Sequence, residues 1–268
     1  SPASGHTIVS PSQDMVIGLY YITECHKNLD SAEFNFVDFN EAELAYENGY
    51  IELHTPINVK IGELAGNPEK HDELKSRIGF TELLTESPVD GSKLFTTTLG
   101  RMYFNSVLPS DFPYIQSSIK KSEMKIIIAE IIRTYNKAEL RIFLDKMKSV
   151  GFKYGTKAGL TVAMTDIKAP ESKQSIIDSA NKLAEEVDDN LKADAITESE
   201  ATDRKLEIWN RTTVTIQKEL AKELEKEEFN PVDMMVKSGA RGNMIQVRQL
   251  GGMRGIVADS EGTMVSTP

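Results

Sequence analysis

Thr197-Glu198-Ser199-Glu200-Ala201-Thr202-Asp203-Arg204-Lys205-Leu206 opens the stretch that decides how this chain folds. A threonine followed three residues later by a glutamate is a capping box. Its hydroxyl and carboxylate satisfy backbone N–H groups that a helix start leaves bare. Behind it, Leu206, Trp209, Ile216, Leu220 and Leu224 recur at helical spacing and mark one buried stripe. Upstream, Pro170 is placed to open an earlier helix at its first turn, with Glu171 near the positive end of the dipole. Ile176, Ile177, Ala180, Leu183, Ala184, Val187 and Leu191 mark the buried face of that helix, and the pattern breaks over residues 193–198. Two long helices joined by so few residues fold back as an antiparallel hairpin, over about residues 170–228. Residues 171–228 hold sixteen acidic side chains against nine basic ones, so the hairpin presents a negative surface.

Working outward toward the N-terminus, helices are expected from about residue 119. Ile119 to Tyr135 is rich in Ile, Met and Lys; Asn136 and Glu139 then form a second capping pair. Leu140, Phe143, Leu144 and Met147 follow at helical spacing, and Gly151 is expected to close that helix. The first hundred residues lean toward β structure. Val16 to Ile22 is a short apolar run, and Ile57-Asn58-Val59-Lys60-Ile61 alternates as a strand does. Between them a helix is expected over Asn40 to Asn48, with Gly49 just past its end. Residues 62–98 read as polar and turn-rich, with Gly66-Asn67-Pro68 and Pro88-Val89-Asp90-Gly91. The fold class is therefore α+β: a β-leaning part to about residue 110, then a mainly helical part. The expected divisions are 1–165, 166–256 and a final lead-in at 257–268.

Composition narrows the function class. The chain has 268 residues, 40% hydrophobic and 27% charged, which is ordinary for a soluble globular protein. The longest aliphatic run, Ile126 to Ile132, is broken by Glu130 and is too short to cross a bilayer, so no membrane partner is expected. No signal peptide is visible; Cys25 stands alone, so no internal disulfide can form, and a cytoplasmic location is expected. His6, His26, His54 and His71 show no ligand spacing, which speaks against a zinc site. A chain opening at Ser1 reads as a cut fragment or a processed product. The net charge of -10 disfavours a free-standing nucleic-acid binder.

Against that acidic total stands one basic island. From Met234 to Ala258 the charges are Lys237, Arg241, Arg248 and Arg254, all positive, in a stretch punctuated by Gly239, Gly242, Gly251, Gly252 and Gly255. Such an island suggests an anion site, and repeated glycine suggests backbone held close to a neighbour or ligand. Arg241 and Arg248 are seven residues apart and would share a face if both stood on one helix. Guanidinium offers planar, permanently charged donors suited to phosphate oxygens. The alternative is that these arginines pair with carboxylates of neighbouring segments and serve structure alone. Met235 and Met244 are expected to pack.

The string Ser238-Gly239-Ala240-Arg241-Gly242-Asn243 through Gln249-Leu250-Gly251-Gly252-Met253-Arg254-Gly255 resembles the bacterial RNA polymerase beta-prime family, just before its bridge helix. Other landmarks follow in family order. They are Ser1-Pro2-Ala3-Ser4-Gly5 and Pro11-Ser12-Gln13-Asp14-Met15, then Gly151-Phe152-Lys153-Tyr154-Gly155-Thr156, Ile208-Trp209, and Phe229-Asn230-Pro231-Val232-Asp233. Thr98 to Asn105 is similar to the strand and turn that lead into the family's helical part. Only residues 24–98 lack a clear likeness.

The resemblance implies an internal fragment of the catalytic subunit of DNA-directed RNA polymerase, a nucleotidyltransferase. The 1–165 part would be a pore region, and 166–256 a funnel whose hairpin supplies the rim helices of the secondary channel. Arg241 would reach the phosphates of the incoming NTP. Gln13 would line the channel, unless it merely caps the turn beside Pro11; Arg248, Gln249 and Arg254 would support the bridge helix. Glu200 and Asp203 would lie where Gre-type factors dock, although its capping box suffices to explain Glu200. The implied partners are the rest of beta-prime, other polymerase subunits and NTPs, with DNA and RNA only in the assembled enzyme. Mg2+ would be held there by an Asp loop expected ahead of Ser1, so no catalytic residue, cofactor or metal is expected within the chain and the isolated fragment should be inactive. Two departures stand out. Relatives commonly read Glu-Arg-Tyr-Asn where this chain reads Glu200-Ala201-Thr202-Asp203, removing a cation and an aromatic surface that could serve an alarmone, and Thr165-Asp166 replaces two adjacent Asp. The competing reading is an autonomous scaffold whose acidic hairpin binds a partner.

Overall fold

A computed structural model describes residues 3, 7–25, 29, 32–67, 93–227, 229–260, 262 and 264–265. The turns expected at Pro68 and at Pro88 to Gly91 lie outside the described residues. The chain divides into two compact units, one of residues 1–160 with 237–240, the other of residues 161–236 with 241–268.

The first unit holds α1 (Asp14–Thr23), β1 (Phe34–Phe36), α2 (Phe39–Glu47), β2 (Pro56–Lys60), β3 (Leu94–Thr98), α3 (Leu99–Asn105), α4 (Lys121–Thr134) and α5 (Lys137–Ala158). Its sheet is small and mixed. β1 pairs parallel to β2 with Phe34 opposite Ile57, and β2 pairs antiparallel to β3 with Pro56 opposite Thr98. Ile57 and Val59 of β2 are fully buried and join a core containing Leu19, Ile22, Leu99, Met102, Phe104, Tyr114, Ile127, Ile131 and Phe143. Polar groups inside this core are matched. The Asn105 amide donates to the carbonyls of Arg101 (2.8 Å) and Ile115 (2.9 Å), and its oxygen accepts the Ile115 N–H at 2.8 Å. Such pairing removes the cost of burying an amide.

Three expectations for this part are corrected. Val16 to Ile22 is helix, not strand: buried Val16, Leu19, Tyr20 and Ile22 fall at helical spacing, and an apolar run alone cannot distinguish the two. Thr98 to Asn105 is not a strand and turn but the N-cap and body of α3, because the Thr98 hydroxyl accepts the Arg101 N–H. Among the described residues, the part up to residue 110 thus carries more helix than strand. Gly151 does not end its helix either; α5 continues to Ala158 and closes at Gly159, whose φ of 57° suits glycine. Gly151 has a different use. A Cβ on Gly18 would fall 1.9 Å from the Gly151 carbonyl oxygen, and one on Gly155 would lie 2.9 Å from the Asp14 oxygen. α1 and α5 therefore cross backbone against backbone. Other expectations hold. The Asn136–Glu139 capping box starts α5, and α2 ends at Glu47 with Asn48 as its C-cap, followed by Gly49 at a φ of 77°.

The second unit holds α6 (Lys173–Lys192), α7 (Glu198–Glu225), α8 (Pro231–Lys237, its last residue counted with the first unit) and α9 (Met244–Gly251). α6 and α7 form the expected hairpin. The buried residues are Ala180 and Val187 on α6, and Ala201, Trp209, Thr212, Thr213, Ile216, Leu220 and Leu224 on α7. Leu183 departs from its expected face and is 50% exposed. Pro170 does not open α6; its carbonyl accepts the Lys173 N–H in a turn, and the helix begins at Lys173. At the hairpin base Leu220 and Leu224 pack with Val232 and Val247 as a second, smaller core.

Candidate functional site

The basic island is built in two local pieces. Arg241 stands in the loop between α8 and α9, exposed, with Gly242 beside it at a φ of 73°. Asn243 then caps α9: its side chain accepts the Gln246 N–H at 2.9 Å, while Gln246 accepts the Asn243 N–H at 3.1 Å. That box fixes the helix start at Met244, so Arg241 and Arg248 do not share a helix face as their spacing alone suggested.

Arg248 lies on the last turn of α9, half-buried, and its Nη2 donates to the Arg254 carbonyl at 3.3 Å. A guanidinium there suits the negative end of the helix dipole. Gln249 and Arg254 are exposed. Among the described residues, none of Arg241, Arg248 and Arg254 has a carboxylate partner, in a chain of net charge -10. The expected structural alternative, pairing with neighbouring carboxylates, is therefore not what these arginines do within the described residues.

Gln13 precedes α1 with a φ of 50° and no side-chain cap bond, so it does not cap that turn. Its side chain is exposed, and it belongs to the first unit. Glu200 and Asp203 are both exposed near the hairpin tip. Glu200 accepts the Thr197 N–H at 3.0 Å, and this bond, with that from the Thr197 hydroxyl, holds its carboxyl below the ordinary value of 4.5. Across the hairpin Lys205 bonds Asp188 at 2.5 Å and ties α7 to α6. Among the described residues, no group of three or more His, Cys, Asp or Glu is placed to hold a metal ion.

Sequence reasoning missed Asn230. Its amide donates to the Asp166 carbonyl (2.9 Å) and to Glu227 (3.0 Å), while its oxygen accepts the N–H groups of Val232 and Asp233. One buried side chain thus starts α8 and closes the hairpin base. The signal was Asn before Pro, which marks a helix N-cap followed by its favoured first residue.

Known proteins account for both units. Residues 1–167 match the family described as RNA polymerase Rpb1, domain 3, and residues 167–266 match RNA polymerase Rpb1, domain 4. The whole chain is 36% identical to part of the DNA-directed RNA polymerase subunit beta' of Desulforudis audaxviator and 37% identical to that of Symbiobacterium thermophilum. The Bacillus subtilis subunit is 35% identical. The chain spans 21%, 22% and 24% of the lengths of those three relatives. A chain matched from end to end in this way belongs to the RNA polymerase Rpb1 family, and corresponds to an internal stretch of the bacterial beta-prime type.

Proposed function

We propose that the chain forms one wall of the secondary channel of a DNA-directed RNA polymerase, guiding nucleoside triphosphates inward and supporting the bridge helix. The observation that carries this reading is the set of arginines left without carboxylate partners among the described residues. A cation with no carboxylate partner among the described residues, on a chain that is acidic overall, is available to an external anion. Arg241 fits best, because it is exposed on a glycine-flanked loop where a triphosphate could approach its fork of donors. Gln13, Arg248, Gln249 and Arg254 would act as channel lining and bridge-helix support. Bond making would be carried out by carboxylates and Mg2+ elsewhere in the assembled enzyme, so the isolated chain would be inactive.

The test is steady-state elongation by intact polymerase carrying Arg241→Ala. The nucleotide KM should rise about tenfold, as for loss of one charged hydrogen-bonding partner, with a smaller change in kcat. Unchanged KM and elongation rate would remove the phosphate role.

The acidic hairpin would receive a Gre-type coiled-coil factor, with Glu200 and Asp203 near the contact. Charge reversal at Glu186, Asp189 and Asp203 should weaken that factor's binding and reduce its salt dependence, measured by titration against assembled polymerase. Glu200-Ala201-Thr202-Asp203 carries no cation or aromatic ring, so these four residues give no support to an alarmone site at the tip.

A further inference from the structure

The glycines of the basic island mark a seat. A Cβ on Gly251 would lie 2.5 Å from Ile167 Cγ2 and 3.3 Å from Leu220 Cδ1. On Gly252 it would lie 3.1 Å from Ile216 Cγ2 and 3.3 Å from Arg248 Cγ. On Gly255, held at a φ of 89°, it would lie 3.4 Å from Thr213 Cγ2 and 3.5 Å from Arg248 Nη2. Thr213, Ile216 and Leu220 follow one another along one face of α7, so three side-chain-free positions press the end of α9 onto that helix. Arg248 and Arg254 are tied to each other by the Nη2–carbonyl bond, and the stem of Arg248 packs over Gly252. Close packing with no slack passes displacement on rather than absorbing it.

We infer that Ile167, Thr213, Ile216 and Leu220 at the hairpin base are positioning residues: they set where Arg248 and Arg254 stand. A sideways shift of α7 would then move the Arg248 guanidinium and, through it, the Arg254 backbone. This deepens the channel reading and rests on it, since the quantity positioned is the pair of arginines proposed to support the bridge helix, whose placement bears on how tightly the nucleotide is held.

The experiment measures nucleotide KM and kcat of assembled polymerase, normalised to the enzyme competent to form stalled complexes. Gly251→Ala pushes a methyl against Ile167 and should raise KM about threefold to tenfold, as expected for coupling through packed neighbours, with kcat changed less. Adding Ile167→Ala removes the opposing methyl and should return KM toward the parent value. Ile216→Ala loosens the seat from the other side and carries the test alone if Gly251→Ala does not assemble; it too should raise KM. Arg248→Ala is the reference. If Arg248→Ala raises KM while the seat variants do not, the positioning role is overturned and the channel reading stands. If neither Arg248→Ala nor Arg241→Ala affects KM, the channel reading itself fails and this inference falls with it. A KM raised by Gly251→Ala and not restored by Ile167→Ala would mean general damage, and overturns the inference as well.

Discussion

Thr197 and Glu200 show how much one short exchange of hydrogen bonds can decide. The hydroxyl accepts the Glu200 N–H while the carboxylate takes the Thr197 N–H, and together they start a helix of 28 residues. Thr197→Ala should destabilise the hairpin by about 1 kcal/mol, the usual cost of a lost N-cap, readable by thermal unfolding followed by circular dichroism. The carboxyl of Glu200 is lowered in the folded state, so its contribution is present above the unfolded value near 4.5 and is lost as pH falls through the folded value. Protection factors of the amides at Glu198 to Ala201, corrected for intrinsic exchange, should therefore fall as pH drops through the lowered value of Glu200, whereas a Glu200→Gln chain should show a weaker pH response. Arg241 differs in kind. It is exposed and has no carboxylate partner among the described residues, and its proposed role depends on what approaches from outside.

At the scale of elements, the crossing of α1 and α5 is the most demanding contact. Gly18 meets the Gly151 carbonyl with no room for a methyl, so Gly18→Ala should cost about 3 kcal/mol, the upper range for overpacking, because backbone cannot rotate away as a side chain would. Gly159→Ala, in open space at the end of α5, should cost about 1 kcal/mol through its positive φ alone. Chemical denaturation of both variants checks the contrast. These glycines also show what could be read beforehand. The two capping boxes and the stripe from Trp209 to Leu224 were legible because caps and periodicity are local. Gly151 was misread as a helix end, since glycine serves stops and close crossings alike and only tertiary contact tells them apart. Val16 to Ile22 was misread because a short run that is apolar throughout shows no polar interruptions from which to read a period. For the candidate site, the basic island was legible from charge alone. The start of α9, which separates Arg241 from Arg248, depended on Asn243, a cap that charge reading overlooks.

For the molecule as a whole, the unequal cores set an order of opening. The first unit buries a large cluster from Leu19 to Tyr154, and the second closes on Leu220, Leu224, Val232 and Val247. Amide hydrogen exchange should show higher protection in α1, β2 and α4 than in α6 and α7, with unfolding that departs from a single two-state transition. Equal protection across both units would contradict this. Asn230 carries a further consequence. By donating to the Asp166 carbonyl it brings the two feet of the hairpin within one hydrogen bond of each other, and the Lys168–Glu227 ion pair spans the same gap. A loop whose ends are pinned side by side behaves as a cassette: whole turns can be added to or cut from both arms together while the anchorage stays the same. The reach of the hairpin is thus adjustable without redesigning the base that anchors it.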